Sequence, residues 1–279
     1  ERHPGPRLRS LRAAGGGERY GWDAAVPIYQ YEWQQHLAPA QLALLGIADL
    51  QPGMRVIETA AGTGLITFPA AVAVGSDGSI LATDLSGEMV KFGNATAEKL
   101  GLSNALFERM NAEALDCEDD SFDRAICALG LMYMPDPRAA LKEMKRVLKP
   151  GGLASVLVWG ERRKCGWAEI FPIVDAQVQS EVCPLFFGLG SVGALVSDLE
   201  AAGFSNIQER RIQAVLSFDS SARVISAIID GGAVAMAAKR FDQATRQAVD
   251  EAFLASVETY RTGERYDIPG EFVIASGVA

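Results

Sequence analysis

The residues best suited to chemistry lie at positions 54–64 and at Asp84. The first stretch reads Met-Arg-Val-Ile-Glu-Thr-Ala-Ala-Gly-Thr-Gly. Val56 and Ile57 are β-branched and follow the turn signal Pro52-Gly53, while residues 65–74 are alanine-rich with a helical apolar stripe, so the segment reads as strand, tight loop, helix. Gly62 and Gly64 lack a Cβ, which lets the backbone adopt positive φ and come close to a ligand. The helix that follows offers unpaired N–H groups at its start. Asp84 ends a second apolar run, Ser79-Ile80-Leu81-Ala82-Thr83-Asp84, twenty residues past Gly64. A carboxylate there can accept both hydroxyls of a ribose, so the pair of features suits a nucleotide-like ligand.

The elements needed to position these residues can be read along the chain. Residues 87–101 form a helical pattern closed by Gly101, and residues 105–110 a third strand ending in Asn111-Ala112-Glu113. That polar pair is suited equally to an adenine edge and to capping the next turn. An acidic loop over 116–120 leads into a fourth strand at 121–129, and an amphipathic helix over 138–148 stops at Lys149-Pro150-Gly151-Gly152. Residues 153–159 are a nearly all-apolar fifth strand, as expected for one covered on both faces. Strand and helix alternate, which predicts an α/β fold with a doubly wound parallel sheet and right-handed crossovers.

Composition narrows the functions. Acidic residues outnumber basic ones, 35 to 26, and the net charge of -9 argues against binding a phosphate backbone, so nucleic acid is not an expected partner. No apolar run approaches the roughly 20 residues that span a bilayer. Cys117, Cys127, Cys165 and Cys183 lack C-x-x-C spacing and read as free thiols in a reducing, cytoplasmic compartment. With only His3 and His36 present, no metal site is expected. A homodimer is compatible with the sequence.

The glycine loop does not fit G-x-G-x-x-G, because the third glycine would fall on Thr67. It resembles motif I of the class I S-adenosylmethionine-dependent methyltransferases, E/D-x-G-x-G-x-G, here Glu58-Thr59-Ala60-Ala61-Gly62-Thr63-Gly64. Ala60 replaces the first glycine, which is tolerable if φ is negative there. Asp84, Asn111-Ala112-Glu113, Ser121-Phe122-Asp123 and Leu141-x-x-Met144-x-Arg146-Val147-Leu148-Lys149-Pro150-Gly151-Gly152 follow in the same order. The last string is similar to the methyltransferases of ubiquinone and menaquinone biosynthesis. The resemblance implies a Rossmann-like sheet of seven strands, the last one antiparallel. It also implies S-adenosylmethionine as cofactor and S-adenosylhomocysteine as product. By the same resemblance Glu58 would steady the loop and the cofactor's amino group. Residues Thr59, Ala60, Ala61, Gly62 and Gly64 would face the methionine moiety and Asp84 the ribose. Ala112 and Glu113, with Asn111 before them, would flank the adenine, with Leu85 and Met89 as its apolar wall, and Leu129 would lie beside the sulfonium.

The rest of the chain is read as serving the acceptor. Residues 1–19, with five arginines and Gly15-Gly16-Gly17, read as a flexible leader. Residues 20–279 read as a single domain whose substrate-side cap comes from 20–48, 161–190 and 220–262, the last interrupted at Gly231-Gly232. Aromatic residues are dense there: Tyr20, Trp22 and Tyr29, then Trp167, Phe171, Phe186 and Phe187. Each suits cap packing or closure over a ligand. Tyr29, Tyr133, Trp159 and Trp167 are the candidate substrate contacts for a small or medium hydrophobic acceptor. Transfer by in-line displacement needs positioning above all. A general base is not evident; Tyr133 and His36 are weak candidates, with His36 read first as an exposed helix residue. Cys165 and Cys183 read as incidental thiols. A nicotinamide-dependent dehydrogenase and a non-catalytic cofactor-binding protein are the alternatives.

Overall fold

The computed structural model describes residues 7–178 and 186–279, with side chains from residue 28 onward. His3, Cys183 and the side chains of Tyr20 and Trp22 lie outside the described residues. The chain opens with one long helix, α1 (Arg7–Ala48). Its backbone is helical from Arg7, which corrects the expected flexible leader over that part: Leu8, Leu11, Ala13, Ala14 and the arginines between them all favour helix. Trp33, Leu37, Ala40, Leu44 and Ala48, at helical spacing, are buried along one face.

Strand and helix then alternate: β1 (Arg55–Thr59), α2 (Thr67–Val74), β2 (Ser79–Asp84), α3 (Gly87–Leu100), β3 (Ala105–Arg109), β4 (Phe122–Ala128), α4 (Pro137–Val147) and β5 (Leu148–Trp159). Two short helices, α5 (Ile170–Asp175) and α6 (Ala194–Ala201), precede β6 (Ser205–Phe218). An insertion of α7 (Ser221–Ile225), a π-helical turn (Ser226–Asp230), α8 (Ala235–Ala238) and α9 (Gln243–Val257) leads through the two-residue β7 (Arg261–Thr262) to β8 (Arg265–Val278).

The sheet runs β3-β2-β1-β4-β5-β8-β6, with β7 paired to β8 off that path. Strands β1 to β5 pair in parallel, and β8 is antiparallel to both β5 and β6. Seven strands thus form the main path, and β8 is the antiparallel one. The winding reverses between β1 and β4, so Thr59 and Ala128 end side by side at the switch point where open α/β sheets bind ligands. Val56 and Ile57, Ile126 and Cys127, and Val156 to Val158 are buried in consecutive pairs or runs, as two-sided cover requires.

The string around Arg146 has an architectural explanation. Helix α4 buries Ala140, Leu141, Met144 and Val147, and Arg146 leaves its other side. The guanidinium donates to Glu143, to Asp119 at 2.6 Å, and to the carbonyls of Cys117 and Leu115. It thereby fastens the β3–β4 connection. Lys149 donates to Asp123 at 2.6 Å, and the other oxygen of Asp123 accepts from the Arg55 amide at 2.8 Å, locking the starts of β1, β4 and β5 together.

Candidate active site

The loop after β1 is shaped by what its residues lack. Gly62 and Gly64 have φ of +56° and +92°. A Cβ on Gly64 would lie 2.6 Å from the Phe68 ring and 2.8 Å from Phe107, so that glycine serves the helix packing beneath. A Cβ on Gly62 would meet nothing within 4 Å, and the loop is open there. Ala60 has φ +53°, which corrects the expectation of negative φ: the alanine occupies the left-handed conformation that glycine would take without strain. Leu129, ending the neighbouring β4, is left-handed too, at φ +58°. Between them Gly130 makes room, since a Cβ there would clash with that of Ala60.

Asp84 turns toward this loop. One carboxylate oxygen accepts the Gly62 amide and the other the Ser86 amide, each at 2.8 Å, which joins the β1 and β2 exits. Ser86 also caps α3 by accepting the Met89 amide at 3.1 Å, with Met89 buried below. Glu58 is buried and accepts from the Thr67 hydroxyl. Burial pushes the Glu58 carboxyl up to about 8; the Thr67 hydrogen bond opposes this and the Asp84 charge adds to it. Thr59, Ala61 and Ala112 are buried and Leu85 is half-buried. Asn111 accepts from the Glu113 amide at 3.0 Å, and Glu113 in turn accepts from the Asp136 amide at 2.7 Å at the start of α4. Asn111 therefore shapes the turn that follows β3, and Glu113 ties that turn to the start of α4.

Helix α1 covers the loop. Thr63 donates to Gln30 at 2.5 Å, and Tyr29, one residue earlier, sits near enough to Asp84 for that charge, after burial, to raise its phenol above the ordinary range. Tyr29 also lines a pocket with Leu129, Tyr133, Trp159 and Trp167, so the four expected substrate contacts share one chamber with the residue expected beside the sulfonium. Its free space is about 40 Å³, room for roughly two or three waters. The walls are rings: Trp159 and Trp167 meet at 4.9 Å, and Tyr133 meets Phe186 edge-on at 5.4 Å. Among the described residues, none of the side chains lining it is Asp, Glu, Lys, Arg or His.

His36 is not among the lining residues. It is 7% exposed, which corrects the expected exposed position, and its ring packs 4.4 Å from that of Phe218. Burial, and then the Arg223 charge, lowers its pKa to about 4, so it is neutral near pH 7. Cys165 is buried as expected of an incidental thiol. Among the described residues no cluster of His, Cys, Asp and Glu could hold a metal. No helix there is long and apolar enough to cross a membrane.

The sequence reading did not name Trp33, Met132, Ile170 or the 228–234 wall of Ile228, Gly231, Gly232, Ala233 and Val234 as pocket residues, although all but Met132 fall within the expected cap. Trp33 follows Tyr29 by four residues and so shares its helix face, a signal that was legible. The 228–234 wall was not, because the glycine pair marks a break without naming its partner. Gly231 accommodates Ile28, whose Cγ2 a Cβ would approach to 2.9 Å, and the Trp33 indole donates at 3.1 Å to the carbonyls of both Ala227 and Gly231.

A family model, that of the ubiE/COQ5 methyltransferase family, matches residues 33–172. The chain belongs to this family. The match runs from Trp33 through the loop, Asp84 and Trp167 and stops before Phe186 and the 228–234 wall. An uncharacterised protein of Mycobacterium tuberculosis is 38% identical over 135 residues, 48% of each chain. The ubiquinone/menaquinone biosynthesis C-methyltransferase UbiE of Shewanella frigidimarina is 36% identical over 126 residues, 45% of this chain and 47% of that one. These matches span about half the length of the curated relatives. Phosphoethanolamine N-methyltransferase 2 of Haemonchus contortus shares the fold with a TM-score of 0.64 at 16% identity, over 99% of this chain and 61% of that one. A SAM-dependent methyltransferase of Aquifex aeolicus does so with a TM-score of 0.52 at 22% identity, over 67% and 91%. Family membership and this fold set aside the dehydrogenase alternative.

Proposed function

We propose that this protein transfers a methyl group from S-adenosylmethionine to a small or medium, uncharged and largely apolar acceptor. The observation that carries the reading is the placement of α1, whose Tyr29 lines the aromatic chamber while the adjacent Gln30 accepts from Thr63 of the ligand loop. Ligand loop and chamber therefore share a wall, as a two-substrate transfer requires. Open space at Gly62 and an acid, Asp84, directed at the loop suit a nucleoside with a cationic tail. When bound, S-adenosylmethionine supplies a methyl group activated on a sulfonium.

The residues have separable tasks. Asp84 holds the loop amide and offers acceptor capacity to ribose hydroxyls, Glu58 faces the ammonium end, and Leu85 and Met89 with Ala112 border the adenine. Leu129 marks the boundary where the methyl group passes to the chamber. Tyr29, Tyr133, Trp159 and Trp167 orient the acceptor for in-line displacement and exclude water. Residues 20–48, 161–190 and 220–262 act as the cap of one domain. No base is assigned: the raised Tyr29 phenol is a poor one, and His36 stands outside the chamber. The net charge of -9 favours a small molecule over nucleic acid and suits a cytoplasmic protein.

The test is calorimetry with S-adenosylhomocysteine, followed by transfer of a radiolabelled methyl group from S-adenosylmethionine to a panel of neutral and charged aromatic acceptors. Binding with label recovered in neutral products supports the reading. No binding, or label only in charged products, sinks it.

A further inference from the structure

Trp33, Trp159 and Trp167 line the aromatic chamber, and the indole N–H groups of Trp33 and Trp167 differ in one respect. That of Trp33 is committed to the carbonyls of Ala227 and Gly231. That of Trp167 is shielded from solvent and has no hydrogen-bond partner among the described residues, although the side chain is only 4% exposed. A buried donor without a partner is costly, and native structures keep few of them. The ring itself is fixed by contacts with Trp159 at 4.9 Å and Phe186 at 5.7 Å, so it cannot turn its N–H outward without disturbing both.

We propose that the Trp167 Nε1–H is the specificity-determining donor of the acceptor chamber, reserved for an uncharged oxygen, carbonyl or ether, on an otherwise apolar ring-shaped ligand. This rests on the chamber being the acceptor site. The surrounding side chains carry no charge, so a carboxylate or phosphate on the ligand would be buried without a counter-ion. A hydrocarbon of the same shape would leave the N–H unsatisfied. A neutral oxygen satisfies the donor and introduces no charge. Sites built around one such donor discriminate against the analogue that lacks the partner.

The experiment uses the full chain saturated with S-adenosylhomocysteine and two probes of matched shape that suit the chamber's size, cyclopentanone and cyclopentane. Indole cross-peaks are followed by ¹H–¹⁵N NMR, with that of Trp167 assigned by its disappearance in W167F. The expected result is a downfield shift of the Trp167 proton with the ketone and not with the hydrocarbon. Wild type should bind the ketone about tenfold more tightly, and W167F should bind the two probes equally while keeping its affinity for cyclopentane. Equal affinities in wild type, or a ketone that binds without moving the Trp167 proton, would overturn the proposal while leaving methyl transfer standing. Failure of both probes to bind would overturn it as well. Failure of S-adenosylhomocysteine to bind in the same sample would instead remove the underlying reading, and this inference with it.

Discussion

A Cβ built on Gly130 falls 2.3 Å from the Cβ of Ala60, so the glycine after β4 exists in complement to the alanine after β1. Ala60 is held at φ +53°. A left-handed alanine costs on the order of 1 kcal/mol relative to glycine in that conformation. Part of this strain is offset because alanine loses less backbone freedom on folding.

Gly130→Ala should therefore destabilise the protein by about 1–3 kcal/mol through overpacking. Ala60→Gly should be neutral or mildly stabilising alone and should restore much of the loss in the double variant. Urea unfolding of the four proteins measures the coupling. Strict additivity would show that the two residues do not meet.

Asp84→Asn should keep the fold and weaken S-adenosylhomocysteine binding about tenfold or more, since it removes the charge that grips the Gly62 and Ser86 amides. Calorimetry gives the affinity and circular dichroism the fold. Unchanged affinity would separate Asp84 from the cofactor.

Glu58 makes stability depend on pH. Its folded pKa is raised by burial to about 8, above the ordinary carboxylate value, so the native state holds the extra proton between them. Stability from this group is fully present below pH 4.5 and declines as pH rises toward about 8. Glu58→Gln should flatten that limb in urea titrations run across the window; an unchanged slope would assign the dependence elsewhere.

His36 acts with the opposite sign. Its folded pKa is lowered to about 4, chiefly by burial, so the unfolded chain binds the proton first as the solution is acidified. Its contribution is present above about pH 6.5 and is lost as pH falls toward 4. Replacing His36 by Phe should blunt acid unfolding in that range, read from thermal melts at fixed ionic strength; a melt that still falls as steeply with acid would exonerate His36.

Arg146→Ala should cost about 2–3 kcal/mol, because several charge-assisted bonds to the β3–β4 connection disappear together. Affinity for S-adenosylhomocysteine, measured below the melting transition, should change by less than threefold. A large loss of affinity in a fully folded variant would give Arg146 a direct ligand role.

The sheet was legible because its evidence is local. Consecutive β-branched residues such as Val56 and Ile57, and the helical spacing of Leu141, Met144 and Val147, report burial within one element. The motif I residues could likewise be named from their order. What the chain order does not carry is which distant surface an element meets. Burial of His36 depends on Phe218, and the sign of φ at Ala60 depends on how two strand exits cross at the switch point. Gly231-Gly232 announced a break, but its service to Ile28 and Trp33 becomes visible only when α1 lies across it.

The bifurcated hydrogen bond from the Trp33 indole N–H to the carbonyls of Ala227 and Gly231 also has a temporal consequence. Residue 33 leaves the ribosome long before its acceptors, which lie 194 and 198 positions later. Through most of synthesis the first helix must wait with its tryptophan unmated, and the aromatic vault can be sealed only when the last third of the polypeptide arrives. A nascent chain that stalls earlier would present those rings to solvent, where chaperones find their clients.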